Sequence, residues 1–203
     1  MSRQTDQFYN QFSYLYPVVD LFLKPQKKVL FNQINLLPEG NLLEIGVGNG
    51  AHFHLYKKHQ VTGIDTSAGM LGIAQKKSYA NIKVVQMDGT ALLFDNETFD
   101  YIVLSHVIAV VDHPAQLLEE VFRVLKPRGQ VFILNHFTPN NWLRHMDGAF
   151  NMVSKMLHFR SVFRIDDIDT IKKFALLKEF HLGLASYFKL LIYQKIEQKV
   201  YVD

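Results

Sequence analysis

Three glycines at alternate positions follow a short apolar segment near residue 45. Residues 42–50 read L-L-E-I-G-V-G-N-G, so Gly46, Gly48 and Gly50 come directly after a predicted buried strand. Glycine adopts positive φ and carries no side chain, and the backbone can therefore approach a ligand closely at the start of a following helix. The segment predicts a ligand-binding turn of the kind that holds a cofactor.

Glu44 narrows the choice of ligand at this turn. It lies two residues before the first glycine, at the end of the predicted strand, where we expect its carboxylate to face the pocket and to favour a cationic ligand over a pyrophosphate. Gly46, Gly48 and Ala51 also satisfy the G-x-G-x-x-G/A pattern of dinucleotide-binding proteins, so that class stays an alternative. A glycine-rich turn without any ligand is the other alternative.

Two further acids end predicted strands. Asp65 closes the strand predicted at 60–65, about twenty residues beyond the first glycine, the offset at which a carboxylate accepts hydrogen bonds from ribose hydroxyls in doubly wound folds. The alternative is that Asp65 caps the next helix, and the two roles can coexist. Asp88 ends the strand predicted at 81–88 and is followed by Gly89.

Helices are predicted between these strands. We expect one over 51–59, a second that opens at the capping residue Ser67 and places Met70 against the sheet, and a third that starts at Pro114 and runs through Leu125. In the third helix, residues at core-facing intervals are Leu117, Leu118, Val121, Phe122 and Leu125. The cap of that helix is predicted at Asp112 or His113.

A fourth strand is predicted to end at Ser105 and His106, and a turn at 126–129 leads into a fifth. Five strand-helix repeats in order predict an α/β fold with a parallel sheet and right-handed connections. Open sheets of this kind bind ligands outside the carboxyl ends of their strands. Ser105 and His106 are therefore expected to face the cleft.

Together these motifs resemble the class I methyltransferases that use S-adenosylmethionine. The resemblance rests on E-x-G-x-G-x-G at 44–50, on the acid after the third strand and on L-K-P-R-G at 125–129, and it covers most of 40–137. It implies a single domain over 1–203 with a Rossmann-like seven-stranded sheet in the order 3-2-1-4-5-7-6, flanked by helices. The last two strands then form an antiparallel hairpin over 176–196.

The same resemblance implies S-adenosylmethionine as the cofactor and gives roles to the acids. Glu44, Asp65 and Asp88 match its amino acid, ribose and adenine parts, and Met87 would lie against the adenine ring. The other residues predicted to bind the cofactor are Gly46, Gly48, Gly50, Met70, Gly89 and Ser105.

Two segments outside the core are expected on the substrate side. Residues 1–38 predict a helical arm in two amphipathic pieces, the first ending at Pro17 and the second starting at Pro25. These pieces either pack on the sheet or form a lid that also touches a membrane surface. Residues 138–170 predict an insertion whose apolar face and basic edge either pack in the core or select the substrate. The basic residues of the arm are Lys24, Lys27 and Lys28.

Methyl transfer from a sulfonium is an in-line displacement that depends mainly on positioning. A general base is needed only when the nucleophile must first lose a proton, as an ammonium must. His136, at the end of strand five, is the candidate base, with a structural histidine as the alternative, and Tyr16 is the second candidate catalytic residue. His52 and His54 diverge on a helix and do not chelate together, so no metal is expected.

The composition is that of an ordinary globular protein. The 203 residues are 48% hydrophobic and 20% charged, and they include no cysteine, which excludes disulfides and thiolate metal sites. The first residues lack the apolar part of a signal peptide, and the longest apolar stretch, 101–111, is too short to span a bilayer. We therefore expect a cytoplasmic protein, peripheral at the inner membrane surface if its substrate is a lipid. A formal net charge of +3 gives no indication of a nucleic-acid partner, and none is expected.

Three further features concern the acceptor of the methyl group. V-x-D-x-P at 110–114, N-H-F at 135–137 and the aromatic arm resemble bacterial phosphatidylethanolamine N-methyltransferases of the soluble, peripheral type. The resemblance implies a lipid amine as substrate. A quinone or another apolar small molecule, methylated on carbon or oxygen, is the alternative.

Two hypotheses from other classes remain open on the sequence. A nicotinamide-dependent oxidoreductase would explain the glycines and Asp65, but it would leave Glu44, Asp88 and the L-K-P-R-G turn without a role. A methyltransferase-like binding protein would hold the nucleoside without turning over any acceptor.

Overall fold

The computed structural model describes residues 16–77, 79–136, 165–182 and 188–197, and of these it describes only the backbone for 16–24 and His136. Helices α1, α2 and α3 span Tyr16–Leu36, Ala68–Gln75 and Pro114–Val124. Strands β1 to β7 span Asn41–Ile45, Gln60–Asp65, Ile82–Gln86, Phe99–Ser105, Leu125–His136, Phe174–Leu182 and Phe188–Lys195. Short 3₁₀ helices span Phe53–Leu55, Ile165–Asp167 and Asp169–Lys173.

The seven described strands form one sheet in the order β3-β2-β1-β4-β5-β7-β6. Strands β1 to β5 are parallel, and β7 runs antiparallel to both β5 and β6. The predicted strand order and the C-terminal hairpin are confirmed. Because β1 lies between β2 and β4, the carboxyl ends of these three strands meet at one edge, where such sheets bind their ligands.

Helix α3 covers one face of the sheet. Leu117, Leu118 and Val121 have no exposed surface and share a core with Ile102 and Leu104 of β4. Burying one such side chain is worth about 1.5 to 3 kcal/mol, so this apolar face fixes the helix on the sheet. The predicted core-facing positions at 117, 118 and 121 are confirmed.

Helix α1 covers the opposite face. Leu30 and Ile34 are fully buried in a second core that includes Leu42 of β1, Val103 of β4 and Leu134 of β5. The amphipathic pattern predicted this packing as one of two outcomes, and it holds for residues 25–36. Residues 1–15 and most of the predicted insertion 138–170 lie outside the described residues.

One boundary predicted for the arm is wrong. Pro25 does not start a helix, because a single helix runs from Tyr16 to Leu36 with Pro25 inside it. The predicted first piece, before Pro17, lies almost entirely outside the described residues. A proline near the start of a helix removes only an N–H that has no helical partner, and this suits Pro17. Pro25 does remove an internal hydrogen bond, but it is exposed, and the buried face that follows holds the helix on the sheet.

The helix predicted over 51–59 is also wrong. Only the 3₁₀ turn Phe53–Leu55 forms there. Asn35 of α1 donates from Nδ2 to the Leu55 carbonyl at 2.9 Å and accepts from the Lys57 N–H at 3.3 Å. These groups would bond within an α-helix, so their attachment to α1 leaves the segment as a tight loop.

The predicted cap of α2 is confirmed, because the Ser67 side chain accepts a hydrogen bond from the Met70 N–H at 3.3 Å. At α3 the cap position is His113, which makes no capping hydrogen bond with its side chain, and Pro114 lies in the first turn. Among the described helices, none is long and apolar enough to cross a membrane.

Candidate active site

The glycine turn after β1 is fixed by the protein itself. Gly46, Gly48 and Gly50 have φ of 78°, 55° and 63°, in the left-handed region that favours glycine. A Cβ atom on Gly46 would collide with Val107, and one on Gly50 with the ring of Phe53. The glycines at 46 and 50 therefore serve the packing of the turn as well as any close approach of a ligand.

Asp65 ties the end of β2 to this turn. Its Oδ2 accepts a hydrogen bond from the Gly48 N–H at 2.8 Å, and its Oδ1 accepts one from the Ser67 N–H at 2.9 Å. The residue is half-buried, and a carboxylate has room for about four such bonds, so it can also accept from ribose hydroxyls. The alternative of Asp65 as helix cap does not hold, because the cap is Ser67.

Asp88 and Gly89 follow β3 on the other side of β2. The Asp88 Oδ1 accepts from both the N–H and the hydroxyl of Thr90, each at 2.9 Å, and Asp88 is half-buried. Gly89 is buried where a Cβ would come within 2.7 Å of an Ile45 methyl. Met87 is partly buried against the core beneath α3. Asp65 and Asp88 thus lie at the carboxyl ends of adjacent strands, as a nucleoside site requires.

Glu44 is buried beside the glycine turn, and its predicted role at the amino acid part of the cofactor stays a prediction. Its side chain is 1% exposed and lies in a cluster with His52 and Tyr56. His52 Nε2 lies 2.9 Å from the carboxylate, and the Tyr56 hydroxyl donates to it at 2.8 Å, while the Tyr56 ring packs edge-on against Phe31 of α1. Burial, and then the charge of Glu44, raise the pKa of Tyr56 well above its usual value of 10, so the hydroxyl stays protonated and donates.

The sequence did not single out His52 and Tyr56 as partners of Glu44. The H-x-H spacing suggests His52 only as a possible metal ligand on a predicted helix, and the structure has a 3₁₀ turn in place of that helix. His52 is buried and His54 is exposed. In the described part of the chain, no group of three or more histidine or acidic side chains is placed to hold a metal ion.

The carboxyl ends of β4 and β5 carry polar groups that the core does not satisfy. Ser105 pairs with Leu134 across the two strands, and its buried hydroxyl has no hydrogen-bond partner among the described residues. The next residue of β5, Asn135, has no exposed surface, and neither its Oδ1 nor its Nδ2 has a described partner. Sequence reasoning missed Asn135, although a polar residue after the apolar run 131–134 was a visible signal.

His106 directly follows β4 in a strained conformation. Its φ is 60°, which non-glycine residues rarely adopt and which is frequent at functional sites. Its N–H donates to the Leu134 carbonyl at 2.7 Å, and its ring centroid lies 5.8 Å from that of Phe188 on β7. The predicted position of Ser105 and His106 at the carboxyl edge is confirmed.

The remaining predicted residues are partly placed. Met70 is buried on α2, with 4% of its surface exposed. His136 is the last residue of β5 and its backbone pairs with Phe188, but its side chain and that of Tyr16 lie outside the described part. The structure therefore neither joins nor separates the two candidate catalytic residues.

The comparisons with known proteins agree with this geometry. The family described as a methyltransferase domain matches residues 43–133. A phosphatidylethanolamine N-methyltransferase from Cereibacter sphaeroides is 31% identical over 163 residues, which are 77% of this chain and 80% of that protein. The chain belongs to the S-adenosylmethionine-dependent methyltransferases. It is an enzyme of that family, and its cofactor is S-adenosylmethionine.

Two other relatives of this methyltransferase differ in how much they cover. A demethylmenaquinone methyltransferase from Staphylococcus epidermidis is 39% identical over 84 residues, 40% of this chain and 35% of that protein. A crystal structure from Thermotoga maritima, described as a possible histamine N-methyltransferase, has a TM-score of 0.69 at 22% identity and covers 94% of this chain and 97% of that one. At that identity the structural likeness shows the fold alone. The family match removes the nicotinamide-dependent alternative.

Proposed function

We propose that this methyltransferase N-methylates a lipid amine, with phosphatidylethanolamine as the representative substrate. One observation carries the proposal. The match to the phosphatidylethanolamine enzyme spans 163 residues, or 77% of this chain, whereas the methyltransferase domain covers only residues 43–133. The match therefore extends beyond the cofactor-binding half, into the part of the chain where we expect the acceptor to be selected. The quinone relative matches over 84 residues, a length that the cofactor-binding half alone accounts for.

Cofactor binding in this proposal uses the carboxyl ends of β1, β2 and β3. The glycine turn gives the close approach, Asp65 accepts hydrogen bonds from the ribose hydroxyls, and Asp88 accepts one from the adenine amine. Bound there, S-adenosylmethionine supplies an electrophilic methyl group, and the protein accelerates transfer by holding the acceptor in line with it. Glu44 then acts indirectly, by holding the segment that carries His52 and Tyr56 beside the turn.

Proton removal and membrane contact belong to the same proposal. An ammonium must lose a proton before it can attack, and His136, with Tyr16 from α1, is the proposed pair for this step. A lipid head group must also be reached at a bilayer surface, so we propose peripheral contact through the arm of a cytoplasmic protein. The basic residues Lys27 and Lys28 of α1 support this, and Lys28 is exposed.

A quinone is the second candidate acceptor. The specific observation in its favour is the higher identity, 39%, in the shorter match. A quinone would be methylated in its reduced quinol form, in which a ring carbon attacks the methyl group and then loses its proton to solvent. The two candidates therefore differ in chemistry as well as in shape.

The test is direct product analysis. The purified protein is incubated with S-adenosylmethionine carrying an isotope-labelled methyl group, once with vesicles that contain phosphatidylethanolamine and once with chemically reduced demethylmenaquinone in detergent. Mass spectrometry of the lipid extract should show a stepwise methyl series on the phospholipid. Label in the quinone and none in the phospholipid would overturn the proposal in favour of the second candidate. The Asp65→Ala variant serves as the control with impaired cofactor binding.

A further inference from the structure

Asn135 occupies a costly position at the end of β5. The four residues before it, 131–134, are apolar and buried, and Asn135 itself has no exposed surface. Its carboxamide offers an acceptor and two donors, and neither polar atom has a hydrogen-bond partner among the described residues. A buried amide without partners destabilises a fold, and such groups are rare in native proteins. A leucine of similar size would avoid the cost, so packing alone does not explain an asparagine here.

The position of Asn135 in the sheet points to the acceptor side of the cleft. Ser105 pairs with Leu134, the last pair between β4 and β5, so Asn135 lies one residue beyond it, beside the strained His106. Strand β4 separates it from β1 and the glycine turn. A group at this place can reach the acceptor, which must approach the methyl group from the side opposite the sulfur, and two strands, β1 and β4, lie between it and the strand of Asp65.

The charged and titratable neighbours of Asn135 are few in the described residues. His106 directly follows the adjacent strand β4, and Lys189 of β7 is the residue paired with Asn135. The Lys189 ammonium is held by Glu179 of β6 at 2.7 Å. No carboxylate of the described residues is hydrogen-bonded to Asn135.

We propose that the Asn135 carboxamide positions the acceptor amine by accepting its N–H at Oδ1, and that the neutral amide keeps this nitrogen in its uncharged, reactive form. The inference rests on the proposed function. A carboxylate at this position would stabilise the ammonium, whereas a neutral carboxamide adds no charge to offset the cost of burying an ammonium. The ammonium first gives its proton to His136, the base proposed above. The nitrogen lone pair then attacks the methyl carbon, the carbon–sulfur bond breaks, and its electron pair stays on sulfur to give S-adenosylhomocysteine and a methylated ammonium.

Two substitutions test this role. Asn135→Asp should raise the pKa of the bound amine and move the acid limb of the kcat profile, which reports ionisations of the enzyme–substrate complex, to higher pH by about one unit or more. Asn135→Leu should lower kcat/KM for the amine about 10- to 100-fold, the loss expected for one hydrogen bond. The leucine variant removes two unsatisfied atoms, so its Tm should be equal to or higher than that of the wild type. The affinity of both variants for S-adenosylhomocysteine should match that of the wild type.

Asn32→Asp is the matched control, because Asn32 is exposed on α1 and the change adds the same charge. The pH profile of Asn32→Asp should be the same as that of the wild type. A wild-type pH profile in Asn135→Asp, or wild-type kcat/KM in Asn135→Leu, would overturn the role of Asn135 while phosphatidylethanolamine methylation stands. If Asn135→Leu does not fold, the pH profile of Asn135→Asp decides the question alone. If the wild type methylates only the quinone, the proposed function fails at that earlier step and the inference falls with it.

Discussion

A single carboxylate at the end of β1 organises the segment that follows the glycine turn. Glu44 binds both His52 and Tyr56, and all three side chains are buried. Burying a carboxylate destabilises the fold unless its oxygens accept hydrogen bonds. His52 and Tyr56 therefore each offset part of the cost of burying the charge of Glu44. The cluster also ties the segment to α1 through the contact of Tyr56 with Phe31.

Tyr56→Phe should therefore lower the free energy of unfolding by about 1 to 3 kcal/mol, because it removes one donor from the buried carboxylate and keeps the ring. Urea denaturation measures the change. Tyr79→Phe is the control, since Tyr79 is 37% exposed, and should stay within about 0.5 kcal/mol of the wild type. Equal stability of Tyr56→Phe and the wild type would show that His52 alone satisfies Glu44.

Asp65→Ala should weaken binding of S-adenosylhomocysteine by roughly 1 to 3 kcal/mol, the range for losing a hydrogen bond to a charged group. Asp65 also holds the Gly48 N–H, so Asp65→Asn, which keeps one acceptor oxygen, should lose less. Isothermal titration calorimetry on both variants reads this out. Wild-type affinity in the alanine variant would leave Asp65 with the single task of ordering the turn.

The two acids differ in how far the sequence could predict them. Asp65 ends a strand at a fixed offset from the glycines, and strand ends follow from local pattern, so its position could be predicted. The environment of Glu44 could not, because it depends on the segment 51–59 leaving the helical state. The hydrogen bond from Asn35 of α1 to Leu55 stabilises the loop instead of the helix, and no local sequence pattern indicates a contact across 20 residues.

At the scale of elements, Arg123 joins α3 to the loop before β4. Its guanidinium donates to the carbonyls of Leu92 and Phe94 at 2.8 and 2.7 Å and pairs with Glu120 at 2.8 Å. This hydrogen bond raises the pKa of Arg123 and lowers that of Glu120, against the opposite effect of burial on each. The fixed loop follows Asp88, so the same contact supports the end of β3.

Arg123→Lys should loosen this loop, because a single ammonium cannot reproduce a fork that reaches two carbonyls and a carboxylate. Hydrogen exchange of residues 88–98 should become faster, while exchange in β1 should not change. Lys172→Ala is the control, since it removes an exposed ion pair with Asp169 that is worth little. Unchanged exchange in Arg123→Lys would show that the loop is held by its apolar contacts with the core.

The depressed pKa of Glu120 adds a pH dependence to the same contact. A carboxyl group with a lower pKa in the folded state stabilises the fold above its unfolded value of about 4.5, and this contribution is lost as the pH falls through the folded value. As the pH falls below about 4.5, the free energy of unfolding of Arg123→Lys should therefore decrease less than that of the wild type. Denaturation midpoints across this range measure it.

The elements were predictable where one face of each is apolar. Leu117, Leu118 and Val121 recur at helical spacing, and the structure buries all three, so α3 could be predicted from its sequence. The start of α1 could not, because a proline pattern shows where a helix can begin and not whether tertiary contacts carry it through. Leu30 and Ile34 supply those contacts for α1.

At the scale of the molecule, stability should fall in alkali. Burial, with the charges of Asp166 and Glu179, raises the pKa of Tyr193 to about 12. A group whose folded pKa is raised stabilises the fold below its unfolded value of about 10, and this contribution is lost as the pH rises from there to about 12. Tyr193→Phe should flatten the fall of the unfolding free energy between these pH values, as followed by urea denaturation. An unchanged slope would assign the alkaline loss to other tyrosines.

Membrane contact is a property of a whole surface. Each lysine near an anionic bilayer contributes about 1 kcal/mol, and salt screens it within a Debye length of about 10 Å at 0.1 M. Replacing Lys24, Lys27 and Lys28 with glutamine should lower co-sedimentation with anionic vesicles, more at low salt, and leave cofactor affinity unchanged. The matched control removes the same charge from Lys76, Lys83 and Lys178, which are exposed elsewhere. Wild-type protein that stays in the supernatant at low salt would contradict the lipid-substrate proposal.

The strand order has a consequence for how the chain folds during synthesis. β7 follows β6 in the chain, yet it lies between β5 and β6 in the sheet and pairs with both. Until residue 195 has left the ribosome, the long apolar β5 has an unpaired edge, and β6 has no neighbour among the described strands to join. Unpaired edges of this kind recruit other chains. Nascent chains whose residue 195 is still inside the ribosome should therefore be the species most dependent on chaperones, while those from which residue 195 has emerged complete the sheet.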